Sequence, residues 1–88
     1  MSAVLVKDGC FIPKVPMNGK KFTLLELQGF VDGYVEYVYL SNNKVLVVDE
    51  DGKVKGKPVN MVATGWLRTD GRDDYVCGPA LLAEEWQV

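Results

Sequence analysis

The clearest pattern of apolar and polar positions lies between Phe22 and Leu40, where it predicts a helix and then a strand. Thr23 and Glu26 have the spacing of a capping box, in which each side chain bonds the backbone N–H of the other residue. Phe22 and Leu27 have the spacing of the hydrophobic contact that often accompanies such a cap. We therefore expect a helix that begins after Thr23, with a cap that contributes about 1 kcal/mol.

The expected helix has one apolar face and a defined end. Its apolar residues recur at intervals of three and four: Leu24, Leu27, Phe30 and Val31. Gly33 is expected to end it, because glycine readily adopts the left-handed conformation that is common after a helix. The following run, 34–40, contains three tyrosines and two valines, a composition typical of strands. Both faces of this run are largely apolar, which favours an interior strand.

Turn residues predict a hairpin before this helix. Ser2–Lys7 and Cys10–Pro16 flank Asp8-Gly9, a pair that is typical of tight hairpin turns. Pro13 and Pro16 cannot donate to a strand ladder, so the second strand is expected to lie at a sheet edge or to end early.

The second half of the chain predicts a further hairpin, a helix and a last strand. The elements in order are a turn at 41–43, a strand at Lys44–Val48, a turn at Asp49–Gly52, irregular structure or a short strand at 53–58, a helix from Met61 to about Arg68 and a strand at Tyr75–Ala83. Asn60 is expected to cap the helix. Gly78-Pro79 predicts a bulge or bend in the last strand.

The resulting order, β-β-α-β-β-α-β, predicts an α+β fold in a single domain spanning residues 1–88. We expect a five-stranded sheet, mixed or mostly antiparallel. Two helices on one face of the sheet would bury four apolar residues: Leu24, Leu27, Val62 and Leu67.

Composition and charge narrow the classes of function. Ten basic and twelve acidic residues among 88 give a net charge of −2, which argues against a nucleic-acid partner. The longest apolar runs, such as Val45–Val48, are far shorter than a membrane span, and no secretion signal is apparent at the N-terminus. These features predict a cytoplasmic protein without a membrane partner.

The sequence offers little reactive chemistry. It contains no histidine, no set of metal ligands and no nucleophile beside a base, so we expect neither enzymatic activity nor a catalytic residue, a metal or a cofactor. Cys10 and Cys77 both lie among apolar residues, and we expect them to be buried thiols, with a disulfide as the alternative.

Residues 52–58 are the candidate site for an anionic small molecule. Glycines let backbone N–H groups approach an anion, and a helix N-terminus is predicted to follow. The candidate ligand-binding residues are Lys53, Lys55, Gly56, Lys57, Asn60 and Arg68. The segment lacks the spacing of a P-loop, and the alternative interpretation is a solvated connection.

Aromatic residues are the candidate interface with a protein partner or a second copy of the chain. The four residues are Tyr34, Tyr37, Tyr39 and Trp86. One face of the 34–40 strand is expected to remain uncovered, and an open apolar strip on a small domain is typical of an interaction surface. Trp86 is expected to pack against the sheet or a neighbouring subunit.

Three segments resemble a family of small proteins from bacteriophages, plasmids and some bacterial genomes, catalogued as domain of unknown function 3846. They are Leu27–Tyr34, with Asp32 in place of a glycine, Asp49–Asn60 and Val76–Leu82. The resemblance runs from Thr23 onward. It implies a mobile-element setting and a small mixed α/β domain, and it implies no reaction.

Two functions follow as expectations. The first is a non-enzymatic binding protein of a phage or other mobile element, an accessory or inhibitor that acts through a protein–protein surface, in host takeover or counter-defence. The alternative is a protein that binds and sequesters a phosphate-bearing nucleotide.

Overall fold

The computed structural model describes residues 3–88, which form a five-stranded sheet and two helices. The elements are β1 (Ala3–Lys7), β2 (Cys10–Lys14), α1 (Leu24–Val31), β3 (Val35–Tyr39), β4 (Lys44–Asp49), α2 (Met61–Thr69), β5 (Ala80–Glu84) and a 3₁₀ turn (Glu85–Gln87). The strand order is β2-β1-β5-β4-β3, and every neighbouring pair is antiparallel. The predicted α+β class and element order are confirmed. Ser2, which was predicted to begin β1, lies outside the described residues.

The two helices pack on opposite faces of the sheet, so the prediction that both cover one face is wrong. Val45 and Val47 of β4 belong to the cluster that contains Leu27 and Val31 of α1. The residues that alternate with them in β4, Leu46 and Val48, belong to a second cluster with Ala63 and Leu67 of α2. Successive side chains of a strand point to opposite faces. The continuous apolar run in β4 therefore has to be covered on both sides.

Strand β3 is an edge strand, whereas the sequence favoured an interior one. β5 lies between β1 and β4, so β4 has neighbours on both sides and β3 has β4 alone. Val35 is half-buried beside the α1 cluster, but Tyr37 and Tyr39 on the same face are 38% and 53% exposed. The apolar composition of β3 reflects a partly covered edge rather than a central position.

Helix α1 begins as predicted and ends one residue earlier than expected. Thr23 Oγ1 accepts from the Glu26 N–H at 3.2 Å, and Glu26 Oε1 accepts from the Thr23 N–H at 2.9 Å. The left-handed residue at the C-terminus is Asp32, with φ of 56°, and not Gly33. Leu27 is buried, but Leu24, the first residue of the helix, is 55% exposed.

Helix α2 is capped by Asn60, as predicted, and its Leu67 is buried while Val62 is half-buried. The last strand begins at Ala80 and not at Tyr75, because Cys77 makes an isolated bridge with Val59 before the chain turns at Gly78. Within residues 3–88, neither helix has the length and hydropathy needed to cross a membrane.

The two cysteines differ in burial, so the prediction that both are buried is wrong for Cys10. Cys77 is 7% exposed, whereas Cys10 is exposed because it directly follows the Asp8-Gly9 turn at the sheet edge. Both thiols are free, and the alternative of a disulfide between them is excluded in this structure.

Candidate functional site

The lysine segment 53–57 packs against a buried carboxylate at the end of β4. The side chain of Asp49 has no exposed surface, and its Oδ2 accepts from Lys57 Nζ at 2.7 Å and from Lys55 Nζ at 3.0 Å. Its Oδ1 accepts from the Asp51 N–H at 2.9 Å. Each carboxylate oxygen is thus compensated, as a buried charge requires.

The same two lysines bind the C-terminus of α1. Lys57 Nζ donates to the carbonyls of Val31 at 2.9 Å and Asp32 at 2.8 Å, and Lys55 Nζ lies 3.3 Å from the Asp32 carbonyl. Cations are stabilising at a helix C-terminus, where the last carbonyls have no partner within the helix. Lys55 and Lys57 therefore connect the segment after β4 to the end of α1.

Ion pairing shifts the titration of this cluster. Burial raises the pKa of the Asp49 carboxyl, but the hydrogen bonds from Lys57, the Asp51 N–H and Lys55 outweigh burial, so its pKa lies below the usual value. The hydrogen bond to Asp49 raises the pKa of the Lys55 ammonium. A lysine that acts as a base near neutrality needs a shift in the opposite direction. The cluster is therefore suited to holding charge in place.

Lys53 lies apart from the other two lysines. Its Nζ is 2.6 Å from Asp74 Oδ1 and 4.2 Å from the centroid of the Tyr75 ring. The hydrogen bond with Asp74 raises the pKa of Lys53, and the same bond lowers the pKa of Asp74. Tyr75 also lines a shallow groove with Arg68 of α2. Tyr75 is thus a neighbour of both Lys53 and Arg68.

The other two predicted ligand residues have local roles. Asn60 Oδ1 accepts from the Ala63 N–H, and its Nδ2 donates to the carbonyls of Val6 and Gly78 at 3.1 and 3.0 Å. Gly56 is exposed in a turn with φ of 72°. The structure therefore brings together Lys55 and Lys57 around Asp49, but not the other four predicted residues. Within residues 3–88, no three acidic or cysteine side chains converge as metal ligands would.

Two of the four predicted interface residues, Tyr37 and Tyr39, form a tyrosine strip on β3, with exposures of 38% and 53%. Tyr34 is 68% exposed, but it precedes β3 and lines a groove with Gln28 and Lys55. The rings of Tyr37 and Tyr39 are stacked, with centroids 6.4 Å apart and an angle of 25° between their planes. Side chains at positions 37 and 39 project from the α1 side of a strand whose partner β4 is almost wholly buried. The strip is thus an aromatic surface on a rigid support.

Trp86 lies in the 3₁₀ turn after β5. It is 56% exposed, so most of its surface does not pack against the sheet, and the alternative of packing against a neighbouring subunit stays a prediction. The N–H of Glu85 donates to the Asn43 carbonyl in the β3–β4 turn, and the Gln87 carbonyl accepts from the Phe22 N–H. These backbone bonds fix the main chain on both sides of Trp86 and leave its indole available to solvent.

Two functional residues were missed in the sequence. Asp49 was assigned to a polar turn, although its place at the end of an apolar strand, before three lysines, was a usable signal. Arg72 Nη2 donates to the Tyr39 carbonyl at 2.6 Å, which places its charge at the end of β3. Nothing in the local sequence around Arg72 indicates this contact, because 33 residues separate the two partners.

Comparison with known families matches residues 1–87 to the family described as Domain of unknown function (DUF3846). The chain belongs to this family. The DUF3846 match therefore also covers the residues before Thr23, where the three motifs did not reach. No curated protein and no solved structure matches the chain.

The structure shows what the residues of the DUF3846 motifs contact in this chain. The Asp49–Asn60 motif begins at the buried carboxylate and ends at the cap of α2, and Lys55 and Lys57 connect it to α1. Gly33, in the first motif, faces the same cluster: a Cβ there would lie 2.6 Å from Asp49 Oδ1. In this DUF3846 domain, the two motifs therefore meet around Asp49.

Proposed function

We propose that this protein is a non-enzymatic binding protein of a phage or other mobile element, which acts as an accessory or inhibitor through a protein–protein surface. The surface is the tyrosine strip on β3, with Trp86 as a further exposed aromatic residue. The observation that carries the proposal is the exposure of two stacked tyrosines, Tyr37 and Tyr39, on an edge strand.

The chemistry of the strip suits a protein partner. Tyrosine and tryptophan supply large contact areas with a polar group at the tip, and they are enriched among the residues that dominate binding energy. The main chain of β3 is held by five residue pairs with β4, so the strip loses little conformational freedom on binding. A preorganised aromatic surface of this kind favours recognition of a folded partner.

The setting of the proposal comes from the family resemblance. Proteins of mobile elements often act on host components, and a small domain without reactive groups can do so by occupying a surface. The cationic groups of Lys55 and Lys57 are held by Asp49 and the end of α1, which leaves the aromatic side of the molecule as the better candidate for recognition.

A matched pair of variants tests the proposal. Tyr37→Asp places a charge in the strip and should abolish capture of a specific host protein from lysate. Phe11→Asp alters another exposed aromatic, 61% exposed on the opposite edge strand, and should leave capture intact. Thermal melts of both variants check that the fold survives. Equal capture by wild type and Tyr37→Asp would contradict the proposal.

The alternative function, binding of a phosphate-bearing nucleotide, is supported by one observation. Lys53 Nζ lies over the Tyr75 ring, and Arg68 lines a groove with Tyr75, so each of these two cations has the same aromatic ring as a neighbour. Binding there should raise the melting temperature by an amount that follows RT ln(1 + [L]/Kd). The double variant Lys53→Ala, Arg68→Ala should remove this increase in melting temperature. If no nucleotide in a panel raises the melting temperature of the wild type, the alternative is refuted.

A further inference from the structure

The two edges of the sheet differ in their ability to pair with another strand. In β2, the two-residue turn at Asp8-Gly9 makes Lys7 and Cys10 a hydrogen-bonded pair, so the backbone of Phe11 and Pro13 faces outward. Pro13 has no N–H to donate. This edge is therefore protected in the usual way, by a proline at an outward position.

The edge at β3 carries no such proline. The Leu40 N–H donates to the Lys44 carbonyl, and the Glu50 N–H donates to the Tyr34 carbonyl, so even-numbered residues face β4. The backbone groups of the odd-numbered residues, Val35, Tyr37 and Tyr39, consequently face outward. In the described part of the chain, the side chain that bonds this outer edge is Arg72, at the Tyr39 carbonyl.

We propose that β3 pairs with β3 of a second copy of this chain, antiparallel, about a two-fold axis at Tyr37. The proposal goes beyond the protein–protein function above, since it uses the backbone edge rather than the tyrosine side chains. The tyrosine strips of the two copies would lie side by side on one face of a continuous sheet. Pairing would thereby double the aromatic surface available to a third protein.

The arrangement of charge selects this register. With Tyr37 on the axis, Val35 faces Tyr39 of the second copy, and each facing pair of outward residues exchanges two hydrogen bonds. The Tyr39 carbonyl has two lone pairs, so it accepts from Val35 of the second copy as well as from Arg72 of its own chain. A shift that centres the axis on Glu36 would place the two Glu36 side chains directly opposite each other, which is destabilising. A shift in the other direction, with the axis at Val38, leaves Val35 without a facing residue.

Charge complementarity argues for a second copy as the occupant. Glu36 points to the α2 face of the sheet, the side from which Arg72 reaches the Tyr39 carbonyl after the end of α2. In the chosen register, Tyr39 faces Val35 of the second copy, whose next residue is Glu36. Arg72 of each copy therefore lies near Glu36 of the other, and the two-fold axis repeats this pair.

Sedimentation velocity over a concentration series tests the pairing. A five-residue edge is small for a protein interface, so wild type should dimerise reversibly and dissociate on dilution. Glu36→Arg should weaken the dimer by at least about tenfold, because it creates two repelling pairs with Arg72. Adding Arg72→Glu to this variant should restore the affinity. Wild type that is monomeric at every concentration would overturn the inference.

Oxidative cross-linking tests the register. In a Cys10→Ser background, which removes the exposed thiol, Tyr37→Cys should form a disulfide-linked dimer, because facing residues on the axis have Cα atoms about 5.5 Å apart. Tyr39→Cys is the matched control, since Tyr39 lies two residues from the axis and should not cross-link. Equal cross-linking of both variants would overturn the proposed register.

The outcomes separate this inference from the proposed function. A monomeric wild type that still captures a host protein through Tyr37 would refute the dimer alone. A dimer with the expected cross-link that captures no host protein would support the inference and leave the proposed function refuted. Melting curves of each variant establish that loss of pairing does not arise from unfolding.

Discussion

Asp49 is the residue on which most of the local order around the first helix depends. Its buried carboxylate would be costly without partners, and it receives hydrogen bonds from two lysines and one backbone N–H. The same lysines bind the carbonyls at the end of α1. Removing the carboxylate would therefore leave the ammonium groups of Lys55 and Lys57 beside the end of α1 without the negative charge that both of them contact.

Asp49 should make the protein sensitive to acid. Its pKa is lowered on folding, so its contribution to stability is present above the unfolded value of about 4 and is lost as the pH falls through the folded pKa. We expect Asp49→Asn to lower the free energy of unfolding at pH 7 by about 2 to 3 kcal/mol, and to flatten its decline as the pH falls below the unfolded pKa of about 4. Urea unfolding at a series of pH values measures both effects.

An exposed carboxylate provides the control for this substitution. Asp73 is exposed, and Asp73→Asn should leave the free energy of unfolding at pH 7 unchanged. Asp70 and Asp74 also have lowered pKa values, through hydrogen bonds from Ser41 and Lys53 respectively, so some acid sensitivity will remain in every variant. An unchanged slope in Asp49→Asn would contradict the role assigned to this carboxylate.

Space for a side chain is restricted directly after the C-terminus of α1. Gly33 has no side chain, and a Cβ at this position would lie 2.6 Å from Asp49 Oδ1 and 2.7 Å from Lys55 Nζ. Asp32 is the residue with the left-handed backbone conformation. Position 33 therefore requires glycine because a side chain would not fit, and not because of the backbone angles. The resemblance to the family placed a glycine at this position, but only the structure gives the reason.

Two glycine substitutions in and after α1 should have opposite effects. Gly33→Ala is expected to lower the free energy of unfolding by about 1 to 3 kcal/mol, because it displaces the buried ion pair. Gly29→Ala, in an exposed part of the helix with nothing within 4 Å of the new Cβ, should raise it by up to about 1 kcal/mol. Chemical denaturation of both variants measures the difference, and equal changes would contradict the packing argument.

Elements defined by local spacing could be predicted from the sequence. The Thr23–Glu26 capping box and the Asn60 cap depend on residues three positions apart, and both are confirmed. The edge position of β3 could not be predicted, because it depends on β5 pairing with β4 from more than thirty residues away. Local spacing contains no information about which strand completes that ladder.

The whole molecule consists of two hydrophobic layers separated by one sheet. The β4 residues Val45 and Val47 contribute to the layer under α1, and Leu46 and Val48 contribute to the layer under α2. The sequence shows the apolar run of β4. Such a run has to be covered on both faces of the sheet, but a helix on each face was not predicted. The candidate site followed the same pattern: the lysines were found, whereas the carboxylate that holds two of them was not.

The layered fold predicts different reactivity for the two thiols. Cys10 is exposed beside a turn and should react rapidly with a thiol reagent in the native protein. Cys77 is 7% exposed beside the bridge to Val59 and should react only when the structure opens. Mass spectrometry after timed labelling should detect one modified cysteine under native conditions and two in denaturant. Equal labelling rates would contradict the structure around Cys77.

The pairing of β1 with β5 sets a condition on how the protein is made in the cell. Val4, Leu5 and Val6 pair with residues 80–82, which leave the ribosome last among the strands. The N-terminal hairpin therefore has to wait, with its inner edge open, until β5 has been translated. Such non-local closure slows folding and leaves nascent chains exposed to aggregation. A chaperone that shields residues 3–7 during synthesis would act on the step at which this molecule is most vulnerable.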